Sequence, residues 1–223
     1  SSSISSDKPL IFISTLGTTE ACAQKVRAHL EKNGHEVVVF HTVGAGGKAM
    51  EEMVIEEDVK ALLDLSLHEI TDHMFGGDYD AGSARGSTAL QKGVPTVLVP
   101  GNIDFIVTGP LNTAKQRFPN RSYHSHNAAI TATRTARDEI ETLAKTIAYL
   151  CNEAKRPLDV LIPMGGFSAF DRREGPLHDP MAPELFAEAL KKGLSDTSII
   201  RLLPYHINDP EFAEALIQAF EKL

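Results

Sequence analysis

EVVVFHTVGAGGKAM, residues 36–50, passes from an apolar, β-branched run through three glycines and a lysine into a segment of helical patterning. Residues 36–40 show none of the polar alternation of a half-exposed strand, which suits a strand covered on both faces. Runs of the same kind recur at LIFIS (10–14), ALLDL (61–65), TVLVP (96–100), DVLIP (159–163) and SIIRLL (198–203), with amphipathic stretches between them. Thr135 and Asp138 make a capping-box-like start to one helix, with Ile140, Leu143, Ala144, Ile147 and Cys151 on one face. Asp209 and Pro210 open the last, with Phe212, Leu216, Ala219, Phe220 and Leu223 inward. Alternating strands and helices predict an α/β fold: a Rossmann-like, doubly wound, mostly parallel sheet of about six strands with helices on both faces.

The 223 residues suit one core, so residues 8–223 read as a single domain and residues 1–7, a serine-rich start, as a linker or tag remnant. No internal repeat is visible. Residues 101–134, rich in Gly, Pro, Asn and His, break the rhythm and read as a long irregular functional segment. Thirty acidic against 22 basic residues leave a formal charge of −8, without the clustered Lys and Arg that a nucleic-acid surface needs. No apolar run approaches the length of a membrane span, and there is no secretory leader pattern. Cys22 and Cys151 are isolated, which points to a reducing, cytoplasmic setting.

Ligands of an open parallel sheet bind beyond the carboxyl ends of its strands, so the segments after each run are the candidates: TLGTTE, HTVGAGGK, GNID, MGGFS and YHIND. Gly44, Gly46 and Ala49 satisfy G-x-G-x-x-G/A, with Asp64 twenty residues beyond the first glycine, although a dinucleotide fingerprint belongs after the first strand. A Walker A motif fails, because Ala49 replaces its Ser or Thr and Thr42 its first glycine. What remains is an anion-facing helix start, with the backbone of Gly46 and Gly47 on a phosphate and Lys48 adding charge, against a glycine turn with a solvated lysine. Thr18 and Thr19 read as phosphate donors or simply as caps. His124 and His126, with His178, Asp179 or His206, allow a metal site but do not specify one, and none is assigned. Asp104 and Asp171 are possible Mg²⁺ or general-base carboxylates. GFSAF (166–170) lacks the second glycine of a nucleophile elbow.

In order along the chain, HTVGAGGKAME, ALLDLSLHEITD, GNIDFIVTGP, the Arg121–Thr135 run with its HN and TRT, GFSAFDRREGPLHDP and LLPYHINDPEFAEAL resemble the Tm-one-like family, which includes the tomato tobamovirus-resistance protein. The resemblance spans residues 8–223. It implies the second of two Rossmann-like subdomains of an ATP-binding region, with ATP and Mg²⁺ near their junction. It further implies a preceding subdomain absent from this chain and, in some members, a following barrel domain. Family motifs match at Gly44, Gly46, Gly47, Lys48, Gly101, Asp104, His126, Asn127, Arg134, Gly166, Ser168, His206, Asn208 and Asp209. Lys48 stands where relatives commonly carry Arg, TLGTTEAC replaces a G-V-T-T-P-C pattern, and FIVTG a segment nearer M-V-N-F-G.

Four readings follow. The first is a nucleotide- or phosphate-binding module, half of a two-subdomain unit, with weak or no nucleotide binding on its own. The second is a Mg²⁺-dependent hydrolase or ligase of a small phosphorylated or carboxylated metabolite, with His126, His206 and Asp104 as acid, base or ligand groups. The third is an NAD-dependent oxidoreductase through Gly44, Gly46, Ala49 and Asp64. The fourth is a protein-interaction module, and a homo-oligomer is open under any of them.

Overall fold

The computed structural model describes residues 7–155 and 157–223, so residues 1–6 of the expected linker lie outside the described residues. Among the described residues, nine strands run in chain order as β1 (Leu10–Thr15), β2 (Glu36–His41), β3 (Val59–Asp64), β4 (Thr96–Leu98), β5 (Phe105–Thr108), β6 (Tyr123–Ser125), β7 (Thr131–Arg134), β8 (Leu158–Pro163) and β9 (Ile200–Leu203). The helices are α1 (Glu20–Lys32), α2 (Ala45–Glu56), α3 (His68–Phe75), α4 (Thr88–Lys92), α5 (Leu111–Arg117), α6 (Arg137–Asn152), α7 (Ala182–Gly193) and α8 (Pro210–Phe220).

The six apolar runs form one sheet, ordered β2-β1-β3-β4-β8-β9, with every neighbouring pair parallel. Residues of the four inner strands alternate between two covered faces, which is why those runs carry no polar alternation, while the edge strands β2 and β9 are only partly buried. Ile11, Ile13, Leu63, Val97 and Leu161 pack under α1 and α8. On the other face, Phe12 and Leu62 meet Met50 and Val54 of α2, while Leu98, Val160 and Ile162 meet α6 and α7. The order reverses at β1, leaving a switch point between β1 and β3 where the loops on either side diverge.

Residues 101–134 are more regular than their composition suggests. They build β5, α5, β6 and β7, with the three strands forming a separate antiparallel sheet, ordered β5-β7-β6, beside the carboxyl edge of the main one. Strands of three or four residues, one of them TATR, are too short and too polar to announce themselves by periodicity. The start of α6 also differs from expectation by one residue. Ala136 caps it, its amide donating to Glu139 Oε2 at 2.8 Å, while the Thr135 hydroxyl donates to the Ile103 carbonyl at 2.9 Å.

Phe212 is fully buried where α8 packs on the sheet. Truncation by Phe212→Ala removes that contact and leaves a cavity, so urea unfolding is expected to show a loss of about 3–5 kcal/mol.

Candidate functional site

The glycine turn after β2 faces an anion, and the anion belongs to the protein. Gly44, at φ +94°, starts α2, and the Gly44 and Gly47 amides donate to Glu69 Oε1 at 2.7 and 3.0 Å. Positive partial charge at a helix start favours this placement. A Cβ at Gly47 would lie 1.7 Å from Glu69 Oε2, and one at Gly46 would lie 1.8 Å from the His41 carbonyl oxygen, so both glycines answer to close approach. Lys48 is exposed on the first turn.

Arg85 neutralises Glu69 from the far side. Its Nε donates to Glu69 Oε2 at 2.8 Å, and Nη1 and Nη2 donate to the two oxygens of Asp64 at 2.7 Å each. Ser14 adds a hydroxyl to Asp64 at 2.5 Å, and Glu51 Oε1 lies 3.7 Å from Arg85 while accepting the Gly86 amide. All five residues are buried. Burial pushes the Glu69 and Glu51 carboxyls up, against the pull of Arg85. Burial works against charge on Arg85, but Asp64 and Glu69 outweigh it and raise its pKa. Asp64, the acid of the fingerprint, is therefore tied inside, and the geometry does not favour a dinucleotide at this turn.

A second network gathers the remaining loops around Asn102, which sits at φ +60° in GNID. Asn tolerates this left-handed conformation better than most residues. Its Nδ2 donates to Thr18 Oγ1 at 2.6 Å, its Oδ1 accepts from Thr19 Oγ1 at 3.0 Å, and its amide donates to the Phe167 carbonyl at 3.0 Å. Its own carbonyl pairs with His68 Nδ1 at 3.0 Å. His68 Nε2 lies 3.1 Å from Asp72 Oδ2, and Asp72 accepts the Tyr79 and Val107 amides, which ties the small sheet to α3. Burial opposes protonation of His68, but Asp72 and the Asn102 carbonyl raise its pKa overall.

Several expected site residues lie in this scaffold. Gly101 and Gly166 allow close approach, since a Cβ at either would lie 2.0 Å from a backbone oxygen, of Leu65 and Asp171 respectively. Ser168 donates to Asp104 Oδ2 at 2.6 Å, and both are fully buried. His206 Nδ1 accepts the Asn208 amide at 3.0 Å, which leaves Nε2 to donate to the Ser168 carbonyl at 2.7 Å. Burial lowers its pKa, and both ring nitrogens of the neutral form are engaged. Asp209 accepts the His206 amide at 2.8 Å, and Asn208 Nδ2 donates to the Thr18 carbonyl at 2.9 Å. Arg134 Nη1 donates to the Leu177 carbonyl at 2.8 Å and lies 3.1 Å from Asp171 Oδ1. Asn127 is exposed at the β6–β7 turn, its Oδ1 accepting the Ala129 amide. His124 packs on Phe170, with ring centroids 4.6 Å apart. Among the described residues no three His, Cys, Asp or Glu converge as a metal site would require.

Of the expected site residues, His126 reaches the cavity of about 380 Å³ at the switch point. Leu16, Gly17 and Thr18 of the first loop form one side of it, Phe105, Val107 and Ala132 of the small sheet are among its other walls, and Tyr79, Ile130 and Phe170 complete the lining. Residues 17–19 form a single 3₁₀ turn that runs directly into α1. The Gly17 and Thr18 amides open that run, where a helix offers no carbonyl partner. Sequence reasoning missed Asn102, His68, Asp72, Glu69 and Arg85. The i,i+4 spacing of His68 and Asp72 was the one local signal among them.

Fold and site together define a doubly wound α/β domain with a small-molecule-sized cleft where its strand order reverses. The chain belongs to the family described as Uncharacterised protein family (UPF0261) C-terminal domain, whose model matches residues 8–223. The ToMV resistance protein Tm-1(GCR237) of Solanum lycopersicum is 34% identical over 220 residues, 98% of this chain and 29% of that protein. UPF0261 proteins of Clostridium tetani and Rhizobium meliloti are each 34% identical, over 94% and 97% of this chain and 52% and 54% of their own lengths. The chain thus spans about half the length of these bacterial relatives and under a third of the tomato protein. A solved structure titled Thioesterase Domain From Curacin Biosynthetic Pathway aligns over 98% of this chain and 93% of its own at 11% identity and a TM-score of 0.40, a likeness that bears on neither fold nor function. Among the described residues no helix is long and apolar enough to cross a membrane, and both cysteines are free and buried.

Two predictions follow from the buried networks. Gly47→Ala forces a methyl against the Glu69 carboxylate and is expected to cost about 2–3 kcal/mol in urea unfolding, with Glu69→Asp in the same chain recovering part of the loss. Burial and the charge of Asp171 push Asp104 up to about 7, while Arg134 and Ser168 hold it down. The folded state then keeps a proton that the unfolded state gives up, so wild-type stability falls as pH rises from the ordinary aspartate value, about 4, to about 7. Asp104→Asn removes that dependence. Its stability relative to wild type should rise through this window, by up to about 4 kcal/mol, and level off above it, as read by urea melts across pH.

Proposed function

We propose that this domain binds a nucleotide or small phosphorylated ligand at the carboxyl edge of its sheet, as one half of a two-subdomain ATP-binding unit. The observation that carries the reading is the Leu16–Thr19 turn. It lies at the switch point, presents the opening amides of a helix run beside a ligand-sized cavity, and is held by Asn102, Asn208 and Ala169 from three other strand-end loops. The phosphate end of the ligand lies against Gly17 and Thr18, with His126 at the same cavity, and Mg²⁺ would enter with the ligand and offset the phosphate charge. The glycine turn of Gly44, Gly46 and Gly47 supports the site as scaffold, since Glu69 already occupies its amides. The engaged nitrogens of His206 and the burial of Asp104 argue for structural roles at both, which weakens an acid–base enzyme built on them.

The second wall of the cleft comes from the part of the protein that the longer relatives possess and this chain does not span. Calorimetric titration of ATP with Mg²⁺ tests this on this chain and on a two-subdomain relative. Weak or undetectable binding here and saturable binding there is the expected pair. Tight binding by this chain alone would remove the split site, and no binding by either would overturn the nucleotide reading.

A further inference from the structure

The cavity beside the Leu16–Thr19 turn is poorly suited to holding a whole nucleotide. Its lining is mainly carbon, from Leu16, Phe105, Val107, Ile130, Ala132 and Phe170. Its polar residues are Thr18, Tyr79 and His126, and the Thr18 hydroxyl oxygen already accepts from Asn102. Phosphates, or the hydrogen-bonding edge of a base, would lose water inside it and find few partners. A hydrocarbon or aromatic body would lose nothing there. Its rings also suit an aromatic guest: Phe105 and Phe170 meet edge-on at 5.4 Å and 64°, the packing that ring systems prefer. At about 380 Å³ the space lies near the small end of ligand pockets, which run from about 300 to 1,000 Å³.

We propose that this cavity is the subsite for a second ligand, a small carboxylate with an aromatic body, separate from any nucleotide. The ring enters between the first loop and the face of the small sheet. The carboxylate stays at the mouth beside the His126 ring, leaving the Gly17 and Thr18 amides to the phosphate of the proposed nucleotide. Gly17 is exposed at the rim: a Cβ built there meets nothing within 4 Å, and its backbone does not lie in the left-handed region. A larger side chain at this position therefore fills space instead of displacing neighbours.

The test is a titration of 3-phenylpropionate into this chain, followed by calorimetry and by methyl NMR of Leu16, Val107 and Ile130. Saturable binding with shifts confined to these methyls is expected. Hexanoate should bind about tenfold or more weaker, and adenosine should not compete. Gly17→Leu, which sets a bulky side chain at the cavity rim, and Ile130→Asp, which charges its wall, should each weaken binding about tenfold or more with the thermal midpoint little changed. The proposal fails if no aromatic carboxylate saturates, if both variants bind as wild type does, or if adenosine displaces the ligand from these methyls. The last outcome would place a nucleobase in the cavity. ATP binding by a two-subdomain relative is read separately, so either proposal can fail without the other.

Discussion

Pairing of buried charge governs the carboxyl edge of this sheet. Arg85 touches Asp64 and Glu69 directly and has Glu51 within reach, all of them buried. A buried guanidinium is tolerable only when its charge is matched and its donors are occupied, and removing either side of such a pair leaves an uncompensated charge inside. The match also fixes geometry. Asp64 ends β3, Glu69 lies on α3 and Gly44 caps α2, so Arg85 and Glu69 together lock the strand end, the next helix and the turn after β2. The ensemble is a switch point held closed from beneath.

Above that floor, the Asn102 network sets the height of the first loop. The two ends of the Asn102 side chain grip Thr18 and Thr19, while its main chain reaches Phe167 and His68. Through His68 and Asp72 the same network carries the small antiparallel sheet, because Asp72 receives the Val107 amide of β5. Both sides of the cleft therefore hang from one residue. This is a rigid way to hold a cavity open, since neither side moves without breaking buried hydrogen bonds.

The main sheet was legible because a strand buried on both faces has nowhere to hide polar residues. LIFIS and DVLIP each show that, whereas EVVVF forms a half-buried edge strand, and the capping pair Asp209–Pro210 marks α8 where it begins. The small sheet was not legible, because its strands are three or four residues long and TATR carries as much polarity as a loop. The site was visible as a location and opaque as chemistry. Strand-end loops can be found by counting, but whether a glycine turn faces solvent, a ligand or Glu69 depends on a residue more than twenty positions away. His206 shows the same limit: its sequence context, YHIND, says nothing about a carbonyl at Ser168 occupying its second nitrogen.

The carboxylate that fills the start of α2 also constrains how this sequence can vary. Gly47 has no room for a side chain because Glu69 reaches it, and Glu69 is held there by amides that only a bare backbone presents at that distance. The two positions are therefore heritable as a pair. A lineage that shortens residue 69 frees the Gly44 and Gly47 amides together and eases the steric demand on residue 47, which Arg85 then still limits. It then inherits, without moving the backbone, a helix start ready for an anion from outside. The internal carboxylate is a resident substitute for a ligand, and its loss is a short mutational route from scaffold to binding site.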